Sequence, residues 1–109
     1  MNTYEQLEKL GQVIGERANN ADPDSSYVAK LLSKGAVRAG KKVGEEAVEV
    51  AIAAAANSRQ EVISESADLL FHLLVLWQAT GVSPESVMGE LKRREGVSGI
   101  AEKKARKKA

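Results

Sequence analysis

Glu45, Glu46 and Glu49 in VGEEAVEVAIAAAA, together with Glu65 and Asp68 in ESADLLFHLLVLW, place five carboxylates at helical spacing inside otherwise apolar segments. This pattern restricts the fold, because uncompensated negative charge is costly to remove from water. Both segments should be helices whose acidic faces meet a cation, basic side chains or solvent. On the first, Glu45, Glu46 and Glu49 fall on one side, and Val43, Ala47, Val50 and Ala54 on the other. On the second, Glu61, Glu65, Asp68 and His72 form another polar stripe. The short Asn57-Ser58 connection between them favours an antiparallel hairpin, in which the two stripes can face one another.

No run in the rest of the chain alternates at period two, Ala is abundant, and both prolines fall between periodic segments, so the fold class is all-α. A first helix is expected over about 3–19, with Tyr4, Leu7, Leu10, Val13 and Ile14 on one stripe. The second runs from Ser25 or Ser26 to about Lys34, with an N-capping hydroxyl or carboxylate and Gly35 as a left-handed stop. The third covers about 37–56. Gly40 and Gly44 lie inside it at a cost of about 1 kcal/mol each, which predicts close packing or a bend there. The fourth, about 60–80, is apolar nearly all round from Leu69 to Trp77 and should be the central helix. Ser83 and Pro84 open a fifth, ending near Arg94.

At 109 residues the chain suits one domain, expected over 1–95, and many of its apolar residues would be buried more easily in an oligomer. Residues 92–109 carry 8 Lys+Arg and 2 Asp+Glu, against 8 and 13 in residues 1–91. The body is therefore acidic, and 96–109 reads as a basic, flexible tail. Nucleic-acid or membrane contact by this tail is the weaker reading, since no aromatic residue is interleaved with its lysines. The absence of cysteine excludes disulfides, thiolate zinc sites and cysteine nucleophiles. With no cationic-apolar leader and no apolar run of bilayer length, the expected location is cytoplasmic, without a membrane span.

An i, i+3 carboxylate pair from each hairpin helix would offer Mg²⁺ or Mn²⁺ oxygen ligands and leave positions for water and phosphate oxygens. The competing reading is a solvated face on which the glutamates pair with Arg38, Lys41 and Lys42 one turn earlier. Segment 35–42 nearly spells a Walker A loop. Lys42, however, occupies the hydroxyl position, and the preceding segment reads as helix where a strand is required, so a P-loop is excluded. What remains is a cluster of Lys34, Arg38, Lys41 and Lys42 that could hold a phosphate chain or simply neutralise the glutamates. His72 could serve the site or the core. Trp77 reads as core, and Tyr27 is left open.

These residues resemble a known family. Glu45-Glu46-Ala47-Val48-Glu49 followed by Glu65-Ser66-Ala67-Asp68 matches the EExxE…ExxD pattern of the MazG-like all-α nucleotide pyrophosphohydrolases. Ser26-Tyr27, the blocks 31–35 and 41–46, and 67–76 occur in the order and spacing of the phosphoribosyl-ATP pyrophosphohydrolase family of histidine biosynthesis. The resemblance covers about 4–94. It implies a four- to five-helix bundle completed by dimerisation, which uses Mg²⁺ to hydrolyse phosphoribosyl-ATP to phosphoribosyl-AMP and pyrophosphate. Carried over residue by residue, it makes Glu46, Glu49, Glu65 and Asp68 metal ligands. Glu45 becomes a further ligand or the group orienting the attacking water, so that Glu45 and Glu49 are the catalytic candidates. Lys34, Lys41 and Lys42 become phosphate contacts, with Arg38 in a less regular part of the pattern. Alternatives are a housekeeping nucleoside triphosphate pyrophosphohydrolase and, from another class, a helical interaction module with a nucleic-acid-binding tail.

Overall fold

The computed structural model describes residues 3–96 and 99–108; Met1, Asn2, Val97, Ser98 and Ala109 lie outside the described residues, as do the side chains of Glu102, Lys107 and Lys108 in the basic segment. Among the described residues the chain is all-α, with α1 (Glu5–Asn20), α2 (Tyr27–Ser33), α3 (Ala36–Ala55), α4 (Arg59–Thr80), α5 (Pro84–Arg93) and α6 (Gly99–Lys108).

The helix ends follow local chemistry. Ser26 caps α2 by accepting a hydrogen bond from the Ala29 N–H at 3.2 Å, Ser58 caps α4 through Glu61 N–H at 3.3 Å, and Ser83 caps α5 through Ser86 N–H at 3.1 Å, with Pro84 in its first turn. Each such cap contributes about 1 kcal/mol. Gly81 ends α4 at φ 73°, a left-handed conformation that disfavours other residues. Between α3 and α4, Asn57 takes φ 55°, the region in which Asn is tolerated best after Gly. This tight link folds α3 back along α4, and the α3–α4 contact is the most extensive in the molecule. The register follows from the loop: Glu46 and Asp68 are each eleven residues from Asn57, and Glu49 and Glu65 each eight.

Ile14 of α1, Val28 and Leu31 of α2, and Leu74 and Val75 of α4 form the core, with Leu7, Leu10, Leu32, Phe71 and Trp77 packed against it. Of the expected α1 stripe, Leu7, Leu10 and Ile14 join this core, Val13 is half-buried outside it, and Tyr4 lies before the helix and is 79% exposed. α4 is central, as its composition predicts, and touches α1, α2 and α3. By length and apolar composition it could also cross a bilayer, contrary to the sequence expectation; here it is interrupted by the Glu61–Glu65–Asp68–His72 stripe and packed among three other helices.

The environment of the two α3 glycines also differs from expectation. A Cβ at Gly40 or Gly44 would meet nothing within 4 Å, and α3 continues unbroken through both. Among the described residues no neighbour outside the local helix backbone requires glycine there. Within the basic segment, residues 99–108 form α6 from strong helix formers (Ala, Glu, Lys, Arg), with at most sparse contact with the body among the described residues. At the end of α5, Glu90 accepts from Arg93 at 2.6 Å and from Arg94 at 3.1 Å, and these bonds hold its carboxyl pKa at about 2.

Candidate active site

The hairpin brings the two acidic stripes together. One carboxylate oxygen each from Glu46, Glu65 and Asp68 lies within 4.8 Å of the others. Glu46 and Glu65 are half-buried and Asp68 is exposed, so the cluster opens to solvent on one side. The Glu65 carboxyl is pushed above the usual glutamate range, first by its loss of solvent and then by Asp68, Glu46, Glu49 and Glu61 in turn. Among the described residues, the one cationic or titratable nitrogen paired with the triad is His72 Nε2, 4.0 Å from Glu46 Oε1. That imidazole is buried and held below its ordinary value, chiefly by desolvation, with Glu46 opposing and Lys42 reinforcing the shift. A largely neutral ring beyond hydrogen-bond reach does little to offset three carboxylates. Crowded oxygen donors with uncompensated charge are what a hard divalent cation requires, and the residues present fit one.

Glu49 stands outside the three-residue cluster but is close enough to raise Glu65. Glu45 pairs along α3 instead: its Oε2 lies 3.5 Å from Lys42 Nζ, and it lines a cavity of about 330 Å³ with Tyr27, Lys30, Lys34, Arg38 and Lys41. Of the sequence candidates, Glu46, Glu65 and Asp68 are thus brought together directly. Lys34, Arg38, Lys41 and Lys42 share the adjoining cavity with Glu45. The alternative in which the α3 cations merely neutralise its glutamates is realised only at Lys42–Glu45, since no other ion pair links them among the described residues.

This cavity lies where the false Walker A segment runs. Residues 36–42 are helical and preceded by helix α2, so no strand supports a P-loop. Gly35 at φ 88° turns the chain into α3 and provides no side-chain cap, leaving the positive end of a 20-residue helix beside Arg38 and Ala39 of the cavity wall. Sequence reasoning missed Lys30. It sits one turn before Lys34 and three residues after Tyr27 on α2, a spacing that places all three on one face. Tyr27 is fixed by parallel stacking on Phe71 (centroids 6.0 Å, 12°) and by an edge contact with His72 at 6.4 Å. Trp77, as expected, packs on the core.

An all-α hairpin that sets clustered carboxylates beside a cationic cavity suits a hydrolase acting on phosphate chains. Comparison narrows the class. The family model described as phosphoribosyl-ATP pyrophosphohydrolase matches residues 7–95. Three relatives named phosphoribosyl-ATP pyrophosphatase are similar over nearly their whole lengths. That of Erythrobacter litoralis is 56% identical over 97% of this chain and 98% of its own. That of Paramagnetospirillum magneticum is 52% identical over 94% and 93%, and that of Rhizorhabdus wittichii 53% over 97% and 96%. The chain belongs to the phosphoribosyl-ATP pyrophosphohydrolase family.

Proposed function

We propose that this chain hydrolyses phosphoribosyl-ATP to phosphoribosyl-AMP and pyrophosphate, one water being consumed, as a step of histidine biosynthesis. The observation that carries the reading is the meeting of Glu46, Glu65 and Asp68 beside a cavity lined by five Lys and Arg side chains. Mg²⁺, or Mn²⁺ in its place, would be held by these three carboxylates, with Glu49 as the further ligand. When bound, the cation supplies charge neutralisation for the phosphate chain and lowers the pKa of water. The chain's own residues do the rest. Lys41 and Lys42, supported by Arg38, bind and orient the phosphates next to the cation, and Lys34, on the α2 side of the same cavity, contacts a phosphate group there. Glu45, tethered to Lys42, and Glu49, next to Glu65, are the two groups placed to orient water and accept its proton.

The active form is a homodimer in this reading. Val37, Val48 and Ile52 of α3 and Ile63 and Leu70 of α4 are all between 45% and 89% exposed, which leaves much of the hairpin's apolar surface uncovered in one copy. The α3–α4 packing of a cytoplasmic domain, not a bilayer, is the setting proposed for α4, and α6 needs no nucleic-acid partner for the activity.

The test is a substrate panel with Mg²⁺ and chromatographic detection of products. Phosphoribosyl-ATP should yield phosphoribosyl-AMP and pyrophosphate, with kcat/KM at least about 10²-fold above that for ATP or other free nucleoside triphosphates. Equal turnover of free triphosphates would favour a housekeeping pyrophosphohydrolase instead.

A further inference from the structure

The cationic cavity has two walls that differ in their surroundings. On the α3 wall, Lys42 is paired with Glu45 and interacts electrostatically with His72, so it belongs to the neighbourhood of the carboxylates. On the α2 wall, Lys30 and Lys34 have no ion-pair partner among the described residues. They are like charges one helical turn apart, an arrangement that is unfavourable unless an anion lies between them. Tyr27, Leu31 and Ala39 supply apolar surface in the same cavity. His72, 4.0 Å from Glu46, and Phe71 beside it also set the orientation of Tyr27.

We propose that Lys30 and Lys34, with the ring of Tyr27 beside them, form a separate subsite for the terminal phosphomonoester of the phosphoribosyl group, and that this subsite selects phosphoribosylated over plain nucleotides. The inference rests on the hydrolase reading above. Phosphoribosyl-ATP has two separate anionic ends, a triphosphate and a phosphomonoester. The carboxylate cluster with its cation, and the α3 cations next to it, account for the triphosphate. The α2 pair lines the same cavity together with Tyr27 and Leu31, and the second anionic end of the molecule is the group left for it. At about 330 Å³ the cavity is at the small end for ligand sites, suited to one end of such a substrate.

Calorimetric titration with phosphoribosyl-AMP and with AMP, both in Mg²⁺, tests this on the full chain. Wild type should bind phosphoribosyl-AMP at least about tenfold more tightly than AMP, and Lys30→Ala/Lys34→Ala should reduce that ratio to about threefold or less while changing AMP affinity less than about twofold. Lys30→Arg/Lys34→Arg should keep most of the preference, because charge is preserved. Circular dichroism checks folding, and Lys30→Ala alone, on an exposed face, serves in the same titration if the double variant is unfolded. Equal weakening of both ligands, or an unchanged ratio, would overturn the subsite. Failure of the underlying reading looks different: wild type would then not release pyrophosphate from phosphoribosyl-ATP at all.

Discussion

Asp68→Asn and Glu46→Gln are each expected to lower pyrophosphate release by about 10²–10³-fold, from loss of charge at the proposed cation site. Neither should weaken the fold. In the metal-free chain three carboxylates crowd together, and the Glu65 carboxyl is held above its usual range by desolvation first and then by Asp68 and Glu46. A carboxyl whose folded value is raised contributes stability below the ordinary glutamate range and loses it as pH rises through the raised value. At pH 7.5 without metal, the variants should therefore melt at or above the wild-type temperature while being nearly inactive. Inactivity with full stability separates a functional cluster from a structural one. Glu49→Gln divides the roles further: if Glu49 orients water, kcat falls with little change in Mg²⁺ affinity, and if it is a ligand both fall. Retained turnover in Asp68→Asn and Glu49→Gln together would contradict the assigned roles.

Ile52→Glu combined with Val48→Glu should convert a dimer into monomers in light scattering coupled to gel filtration and lower the melting temperature by more than about 10 °C. Both side chains are 56% exposed in one copy, on the same face of α3. In isolation such substitutions at exposed sites change stability little. A large loss is expected only because burial of the new carboxylates in an interface has a heavy desolvation cost. Gly44 lies one turn before Val48, and among the described residues nothing outside the local helix backbone comes within 4 Å of a Cβ there, which leaves room for a partner helix to approach. A monomeric wild type, or a variant that remains dimeric, would remove the interface from these helices.

Much of this molecule is legible in its sequence because the informative chemistry is local. Ser26, Ser58 and Ser83-Pro84 mark helix starts through bonds spanning three residues, and Gly81 marks a stop through its own φ. The hairpin register follows from a connection too short to allow much choice, and it sets Glu46 opposite Asp68. Features that depend on packing at a distance were harder to read. Lys30 looks like any exposed helical lysine until α2 is laid against α3 and the two enclose a cavity. The difference between Glu45, which turns to Lys42, and Glu46, which turns to α4, depends on how α3 is rotated against its neighbour; three consecutive-turn glutamates alone do not decide it. Tyr4 fits the apolar stripe of α1 but precedes the helix, because the pattern extends beyond the residues that become helical. In α6, apolar content argued against packing and said nothing about helix formation, which Ala, Lys, Arg and Glu favour without any partner.

The central claim is that Glu46, Glu65 and Asp68 jointly hold a divalent cation, and titration of the metal-free protein with Mn²⁺, followed by calorimetry and electron paramagnetic resonance, tests it most directly. Wild type should bind Mn²⁺ with a melting-temperature gain, and Asp68→Asn or Glu46→Gln should weaken that binding by at least about tenfold. Wild type that binds no Mn²⁺, or variants that bind it as tightly as wild type, would contradict the claim.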